Sequence, residues 1–201
     1  MIASLSVSRT SWSISMLDVA ALTVEEVDPL PLRAELREVH RSALGAGALS
    51  DDWAANRLPM HMQRDDFVFL VAREGTELAG FGYGYTGAYK QWWTEHVARA
   101  LSAAQREQWL DPPHFEIVEL HVRPAWQRRG AGSALLAQLL TRQPHDRALL
   151  STQTGSKKAR NFYAKNSWTE LADVDFGKGY PPYLVLGKRL RGGYLPATEL
   201  T

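Results

Sequence analysis

The sequence predicts an α/β (α+β) domain whose central mixed sheet of about six to seven strands is flanked by helices. Three observations support this class: a hairpin pattern in residues 66–86, alternating strand and helix patterns after residue 114, and a helical pattern over residues 88–114. Alternating strands and helices imply parallel pairing, whereas hairpins pair antiparallel, so we expect a mixed sheet. The stretch 88–114 is then a helical insertion between the third and fourth strands.

The first expected elements are one strand and two helices. Mixed apolar and β-branched residues predict a strand over residues 19–27. Helical spacing of apolar residues over 32–40 predicts a helix that ends at Gly45 and Gly47. A second, short helix is expected over 51–62, capped by one of its first two aspartates.

A hairpin follows. An apolar run over 66–73 and a β pattern over 78–86 flank the turn sequence Glu74-Gly75-Thr76. The second arm alternates glycines with aromatic residues, namely Gly80, Phe81, Gly82, Tyr83, Gly84 and Tyr85. The bare glycine face permits close approach of another backbone or of a ligand, and the aromatic face belongs either to the core or to a pocket wall.

The later elements complete the sheet. Apolar helical spacing over 92–104 and the capping-box sequence Ser102-Ala103-Ala104-Gln105 predict two helices in the insertion. The remaining predicted elements are a strand over 115–123, a helix over 130–140, a strand over 147–152, a helix over 156–165, and strands over 171–176 and 183–186.

Composition excludes several classes of protein. The 201 residues suit one domain, expected over 16–190, with a serine-rich segment 1–15 that is disordered or upstream of a true start at Met16, and a flexible tail over 191–201. A net charge of +1 gives no general attraction to nucleic acid or membranes. Because no apolar segment is long enough to span a membrane and no signal-peptide pattern is present, we expect a cytoplasmic protein, and the arginine-rich composition suggests a bacterial one.

Cysteine and histidine usage limits the chemistry. The chain has no cysteine, which excludes disulfides, thiolate metal sites and a cysteine nucleophile. Its 6 histidines never fall at the i, i+4 spacing that places two ligands on one helix face, so no metal site is predicted.

The segment from Val122 to Ser133 carries the clearest chemical signal. A strand ends at Pro124, a polar turn follows, and Gly130 and Gly132 open a helix whose first N–H groups have no intrahelical partner. Such a helix start binds anions, and Arg128 and Arg129 add positive charge beside it. The sequence lacks the third glycine and the acidic residue of a dinucleotide site, and it lacks the Gly-Lys-Ser/Thr of a triphosphate loop.

This segment resembles the acetyl-coenzyme A loop of the GNAT superfamily of N-acetyltransferases. Gln127-Arg128-Arg129-Gly130-Ala131-Gly132 matches the family pattern (Gln/Arg)-x-x-Gly-x-(Gly/Ala) after a strand that ends in Val-x-Pro. The stretch 159–168 is similar to the family helix with A-x-x-(Phe/Leu)-Tyr, although Ser167-Trp168 replaces its Gly-Phe pair. The resemblance covers roughly 66–189.

The resemblance implies acetyl-CoA as co-substrate and assigns residues to it. The amides of the turn would hold the pyrophosphate, and the strand near His121 and Val122 would bind the pantetheine arm. The expected cofactor-binding residues are His121, Val122, Gln127, Arg128, Arg129, Gly130, Ala131, Gly132, Ser133, Ser156 and Tyr163. Ser156 departs from the family, which usually has asparagine there.

The resemblance also proposes catalytic residues. Glu116 lies eleven residues before Gln127, where several family members carry a base, and Glu119 is the alternative, expected on the opposite strand face. His121 is a further candidate base. Tyr163 resembles the general acid, although a phenol pKa of about 10 against about 8.5 for a thiol favours a hydrogen bond to the thiolate over full proton transfer.

The sequence does not identify the acceptor of the acetyl group. The aromatic residues expected to line its pocket are Tyr83, Tyr85, Trp92, Trp93 and Trp109, with core packing as the alternative role. We expect direct transfer in a ternary complex to the primary amine of a small molecule. The alternatives are a protein N-terminus or lysine as acceptor, or a non-catalytic acyl-CoA-binding module. Neither nucleic acid nor a membrane is an expected partner, and a homodimer is possible.

Overall fold

The chain, described here from a computed structural model over residues 21–45 and 49–190, forms a mixed seven-stranded sheet. The strand order is β1-β2-β3-β4-β5-β7-β6, and only β4 and β5 pair in parallel. The strands are β1 Leu22–Glu26, β2 Val68–Glu74, β3 Glu77–Gly87, β4 His114–Val122, β5 Arg147–Gln153, β6 Thr169–Val174 and β7 Tyr183–Arg189. The predicted fold class is confirmed.

Helices cover both faces of this sheet. They are α1 Arg33–Leu44, α2 Ser50–Asp52, α3 Leu58–His61, α4 Trp92–Ala100, α5 Ala103–Trp109, α6 Ala131–Thr141 and α7 Lys157–Lys165. One face packs against α1 to α3 in its first half and against α4 and α5 in its second half. The other face packs against α6 and α7. The expectations for residues 1–20, for Gly47 and for the tail 191–201 lie outside the described residues.

The bare glycine face of β3 is filled by its neighbours rather than left open. A Cβ added at Gly84 would lie 2.5 Å from the Phe115 ring, and one at Gly82 would lie 3.1 Å from the Leu139 side chain. Close packing against β4 and α6 therefore requires glycine here.

The second predicted helix differs from the prediction at its N-cap and in the geometry of its middle turn. Its N-cap is Leu49, and no side chain of the described residues caps it, so the expected aspartate cap is wrong. The Asp52 carboxylate instead accepts hydrogen bonds from Asn56 and Arg57 one turn later. Between α2 and α3 the chain forms a π-helical turn over Trp53–Arg57, a feature often found at functional sites.

The predicted insertion is present as α4 and α5. The Ser102 side chain accepts from the Gln105 N–H while the Gln105 side chain accepts from the Ser102 N–H, which confirms the capping box. Apolar residues of both helices pack against Leu149 of β5 and Val185 of β7. The insertion therefore covers the second half of the sheet.

Strands β4 and β5 separate after a short contact. They pair only at Phe115 with Ala148 and at Glu116 with Leu149. Beyond these pairs, the β4 residues from Val118 to Val122 are half-buried. The separation opens a gap in the sheet directly before the turn that leads into α6. Among the described helices, none is long and apolar enough to cross a bilayer.

Candidate active site

The turn between β4 and α6 forms one end of the candidate site. Its φ angle is positive at Arg128 (64°) and at Gly130 (94°) but not at Arg129 between them. Such alternation directs successive N–H groups towards one point and creates an anion-binding concavity. In the part of the chain that the structure describes, no N–H group from Arg128 to Ser133 has a backbone acceptor, and the first helical bond runs from the Ala134 N–H to Gly130 O at 2.9 Å.

Side chains brace this turn from both sides. The Gln127 amide donates to Val122 O at 2.8 Å and accepts from Lys158 of α7. Arg129 pairs with Glu74, whose other carboxylate oxygen accepts from the indole of Trp126 at 3.0 Å. The Arg129 side chain is therefore committed to Glu74, while its backbone N–H remains directed at the concavity.

A β-bulge in β4 places both candidate bases on one face. Tyr83 of β3 pairs with Glu119, but the next residue, Gly84, pairs with Ile117. The bulge shifts the alternation, so Glu116 opposite Tyr85 and Glu119 opposite Tyr83 both face the side of α1 to α5. The expectation that the two glutamates lie on opposite faces is wrong because it assumed regular alternation.

Glu116 is buried with little polar compensation. Its residue is 3% exposed, Oε1 lies 3.4 Å from the Tyr85 hydroxyl that donates to it, and Oε2 has no hydrogen-bond partner among the described residues. Burial raises the pKa of Glu116 to about 8, with small opposing effects from Tyr85 and Arg64. A carboxyl group with this pKa is mostly protonated at pH 7 and becomes able to accept a proton as the pH approaches and exceeds about 8.

The raised pKa of Glu116 predicts a pH dependence of stability. Between the ordinary pKa of 4.5 and about 8, the folded state keeps a proton that the unfolded chain releases. We therefore expect this stabilising contribution to be complete below about pH 4.5 and to be lost as the pH rises to about 8. Denaturant unfolding at several pH values should show the wild-type free energy of unfolding falling relative to Glu116→Gln over this range. A difference that does not change with pH would contradict the burial argument, and Glu77→Gln, at an exposed turn, is the control.

Glu119 lies in a different environment. Its carboxylate contacts His121 Nε2 at 2.5 Å and lies 4.0 Å from His40 Nε2 of α1. Burial acts to raise the pKa of Glu119, but the His121 ring and its hydrogen bond hold that pKa below the ordinary value. Glu119 is therefore ionised at neutral pH, and its side chain is 24% exposed.

Buried aromatic and imidazole rings surround these two glutamates. The Tyr83 hydroxyl accepts from Trp53 Nε1 at 3.0 Å and lies 3.0 Å from His61 Nδ1. The Tyr83 hydroxyl thus links Trp53 to His61, and the direction of its hydrogen bond with Nδ1 depends on the His61 tautomer. Burial lowers the pKa of His61 to about 4, so the ring is neutral.

Tyr163 lies on the opposite face of the sheet, close enough to Glu119 for that charge to act on its phenol. It lies on α7, packs against Phe162 and Trp168, and is largely buried. Burial and the charge of Glu119 raise the pKa of its phenol. Tyr163 therefore keeps its proton and can donate a hydrogen bond. Ser156 caps the same helix by accepting from the Ala159 N–H at 3.4 Å.

The five predicted acceptor-pocket residues do not form a single group. Tyr83 and Tyr85 lie beside the glutamates. Trp93 donates to Ser151 of β5 at 3.0 Å, on the same sheet face, and Trp92 is exposed at the start of α4. Trp109 packs closely against Gly187 of β7 and belongs to the core under the insertion.

Several neighbours of the site carry no local sequence signal. His40, Trp53, His61 and Arg64 precede the hairpin in sequence and reach β4 only through tertiary packing. Lys158 is the exception, since a basic residue two positions after the predicted cap Ser156 could have been proposed as a phosphate ligand. These residues add imidazole rings and positive charge to the site. In the sequence, the site was indicated mainly by the turn before α6.

A large cavity among the described residues lies elsewhere. It has a volume of about 990 Å³ between α5, the end of α6 and the β6 edge of the sheet, and its lining includes Trp109, Glu170 and Arg189. No residue of the turn or of the glutamate pair lines it. We therefore base the functional assignment on the gap beside β4.

The comparison with known families now identifies the class of protein. The sequence matches the model of the Acetyltransferase (GNAT) family over residues 33–168. The chain belongs to that family, whose members use acetyl-CoA as co-substrate, and the predicted class of enzyme, an acyltransferase, is confirmed at this level.

One curated relative is the GCN5-like protein acetyltransferase Rv2170 of Mycobacterium tuberculosis (strain ATCC 25618 / H37Rv). It is 33% identical over 121 residues, which are 56% of this chain and 59% of the relative. The chain thus matches somewhat more than half the length of this relative.

Solved structures share the fold at low sequence identity. Arabidopsis thaliana NAA60 in complex with a bisubstrate analogue has a TM-score of 0.61 at 14% identity and covers 86% of this chain and all of its own. The ribosomal-protein-S18-alanine N-acetyltransferase of Escherichia coli has a TM-score of 0.59 at 14% identity, with 87% of this chain and 97% of its own covered. At such identities the likeness shows the fold alone.

Proposed function

We propose that the chain transfers the acetyl group of acetyl-CoA directly to a primary amine within a ternary complex. The observation that carries this proposal is the turn at Arg128–Ser133 beside the gap between β4 and β5, with Glu116 and Tyr163 on opposite faces of the sheet. The concavity suits a diphosphate, and the unpaired β4 edge suits an extended pantetheine arm.

The two sides of the sheet would serve the two reactants. Glu116 and Glu119 face α1 to α5, so the acceptor amine would enter from that side. Tyr163 belongs to α7 on the other face, so its hydroxyl would meet the sulfur of the donor there. The absence of cysteine in the sequence supports direct transfer over a covalent acetyl-enzyme.

The chemistry requires one proton acceptor and one hydrogen-bond donor. Glu116 accepts the proton that the amine nitrogen loses as its bond to the acetyl carbon forms and the carbon–sulfur bond breaks. Tyr163 donates a hydrogen bond to the departing thiolate, whose charge is stabilised without full proton transfer because burial raises the phenol pKa further.

A small amine is the first candidate acceptor. The rings of Tyr83 and Tyr85 are buried beside the two carboxylates and offer an aromatic wall of limited size. Such a wall binds the apolar part of an amine, or its ammonium form through cation–π attraction.

A protein amine is the second candidate, favoured by two observations. Trp92 is 52% exposed and Tyr180 of the β6–β7 loop is 42% exposed, with ring centroids 5.7 Å apart. An exposed aromatic pair is a common feature of protein-binding surfaces. The relative in Mycobacterium tuberculosis is named a protein acetyltransferase.

Turnover assays with two acceptor panels test the proposal. One panel contains small primary amines, and the other contains peptides with a free N-terminus or an internal lysine. Release of free CoA together with a mass increase of one acetyl group on the acceptor supports the proposal and selects the class of acceptor. Calorimetric binding of acetyl-CoA without turnover on either panel would favour the non-catalytic acyl-CoA-binding module.

Removing the Tyr163 hydroxyl should slow the reaction. We expect Tyr163→Phe to lower kcat by about tenfold while acetyl-CoA binding is retained, because only the hydrogen bond to the thiolate is lost. Steady-state kinetics and calorimetry measure the two quantities. Tyr89→Phe is the matched control, since that hydroxyl binds Asp111 outside the site. An unchanged kcat in Tyr163→Phe would remove this residue from the mechanism.

A further inference from the structure

Two histidines and one glutamate that are distant in sequence meet beside β4. His40 comes from α1, and Glu119 and His121 come from β4 after the bulge. Glu119 lies 2.5 Å from His121 Nε2 and 4.0 Å from His40 Nε2, and one ligand atom of each residue lies within 4.8 Å of the other two. The proposed acetyl transfer assigns no role to His40 or His121 side chains.

These distances are close to those of a tetrahedral metal site. With metal–ligand bonds of 2.0 to 2.1 Å, two tetrahedral ligand atoms lie about 3.3 Å apart. The Glu119–His121 contact would lengthen and the Glu119–His40 distance would shorten, each by less than 1 Å, although they involve the two different oxygens of Glu119. The remaining separation, between His40 and His121, is at most 4.8 Å and would shorten by up to about 1.5 Å. Side-chain rotations of this size would bring the three ligands around one ion.

The surrounding residues hold His40 in the orientation that a ligand needs. His40 Nδ1 lies 2.8 Å from the hydroxyl of Ser50, which leaves Nε2 directed at Glu119. The ring stacks on Trp53 at 4.7 Å with an angle of 10°, and it meets the His121 ring edge to face at 4.9 Å. A hydrogen bond to the second ring nitrogen is the usual support of a histidine ligand.

We propose that His40, Glu119 and His121 bind one divalent transition-metal ion, with Zn²⁺ as the best match. Two imidazoles and one carboxylate form a ligand set that zinc accepts, and three protein ligands leave a fourth position open. Glu119 is the most exposed of the three side chains, at 24% against 11% for His121 and 5% for His40, and it lies on the same sheet face as Glu116. A bound ion would withdraw Glu119 from any acceptor amine.

Metal titration of the chelator-treated chain tests this site without acetyl-CoA or an acceptor. Calorimetry with Zn²⁺ should give one ion per chain, and Co²⁺ should give the visible absorption of a tetrahedral complex. His40→Ala and His121→Ala should each weaken binding by about 100-fold or more, and Ser50→Ala by about tenfold. His61→Ala is the matched control, because His61 is a half-buried histidine on the same side of the sheet that contacts Tyr83 instead.

The outcomes are distinct. Circular dichroism melts establish that each variant folds, and Ser50→Ala provides a mild variant if the histidine variants do not. No Zn²⁺ binding by the wild type, or binding that His40→Ala and Ser50→Ala leave unchanged, would overturn the proposal and leave Glu119 and His121 as a hydrogen-bonded pair. Because the readout needs no turnover, its failure is distinguishable from failure of the proposed acetyl transfer.

Discussion

Replacing Glu116 with glutamine should lower kcat/KM for acetyl transfer by about 100-fold at neutral pH. Glutamine preserves the size of the side chain and its contact with Tyr85, but it cannot accept a proton. The wild-type carboxyl is buried and has a pKa of about 8, so it is matched to proton transfer from an amine near that pH. Steady-state assays with the preferred amine measure the loss.

The pH profile distinguishes loss of a base from a general loss of activity. If the acceptor arrives as an ammonium ion, the wild-type kcat/KM should rise up to about pH 8, where Glu116 is half ionised, and level off above that pH. Glu116→Gln should continue to rise above pH 8, because it depends on the small fraction of neutral amine in solution. The ratio of wild type to variant should therefore be largest at low pH and should fall above about pH 8.

Glu77→Gln serves as the matched control for Glu116→Gln. Glu77 is exposed at the β2–β3 turn, and its substitution should leave the pH profile unchanged. A Glu116→Gln profile that overlays the wild-type profile would contradict the assignment and transfer the role of base to Glu119 or to water.

Replacing Gly130 with aspartate should weaken acetyl-CoA binding by about 100-fold. Gly130 has a φ of 94°, which side chains rarely adopt, and it caps the helix whose N–H groups form the anion site. The new carboxylate would place a negative charge beside the phosphates that the concavity is proposed to bind. Calorimetric titration with CoA measures the change.

The control for Gly130→Asp separates charge at the turn from backbone strain. Gly45, at the end of α1, has the same φ of 94°, and like Gly130 it has no atom of the described residues within 4 Å of an added Cβ. Its ψ is 177° against −16° at Gly130, a conformation that is more restricted to glycine, so Gly45→Asp should lose at least as much stability but bind CoA as the wild type does. Equal affinities of Gly130→Asp and the wild type would refute both the diphosphate site and the acetyltransferase proposal.

The strands and the turn between β4 and α6 were predictable because their sequence patterns are local. The hairpin follows from two apolar arms around Glu74-Gly75-Thr76, and the start of α6 follows from Gly130 and Gly132 after a strand that ends at Pro124. Backbone requirements of this kind act over a few residues, so they leave a pattern in the chain itself.

Regular alternation of side chains could not predict which sheet face the β4 residues beyond the bulge occupy. A single extra residue in β4 brings Glu119 to the face of Glu116, and no residue type near the bulge marks its position. The aspartate cap failed for a related reason, because Asp52 has competing partners in Asn56 and Arg57. The sequence preference allows an aspartate N-cap or a regular strand, but the contacts available in the folded chain decide whether either one forms.

The sequence by itself determined the mixed sheet, the insertion and the Gly130 turn, and its motif indicated the GNAT family. These features depend on periodicity and on glycine and proline at fixed spacings. Only the tertiary structure decided that Trp109 packs in the core, that Glu116 is buried with an unpaired oxygen, and that His40 meets Glu119 and His121. Burial and contacts between distant segments arise when α1 and the insertion pack on the sheet. The pKa values and the proposed metal site depend on that packing.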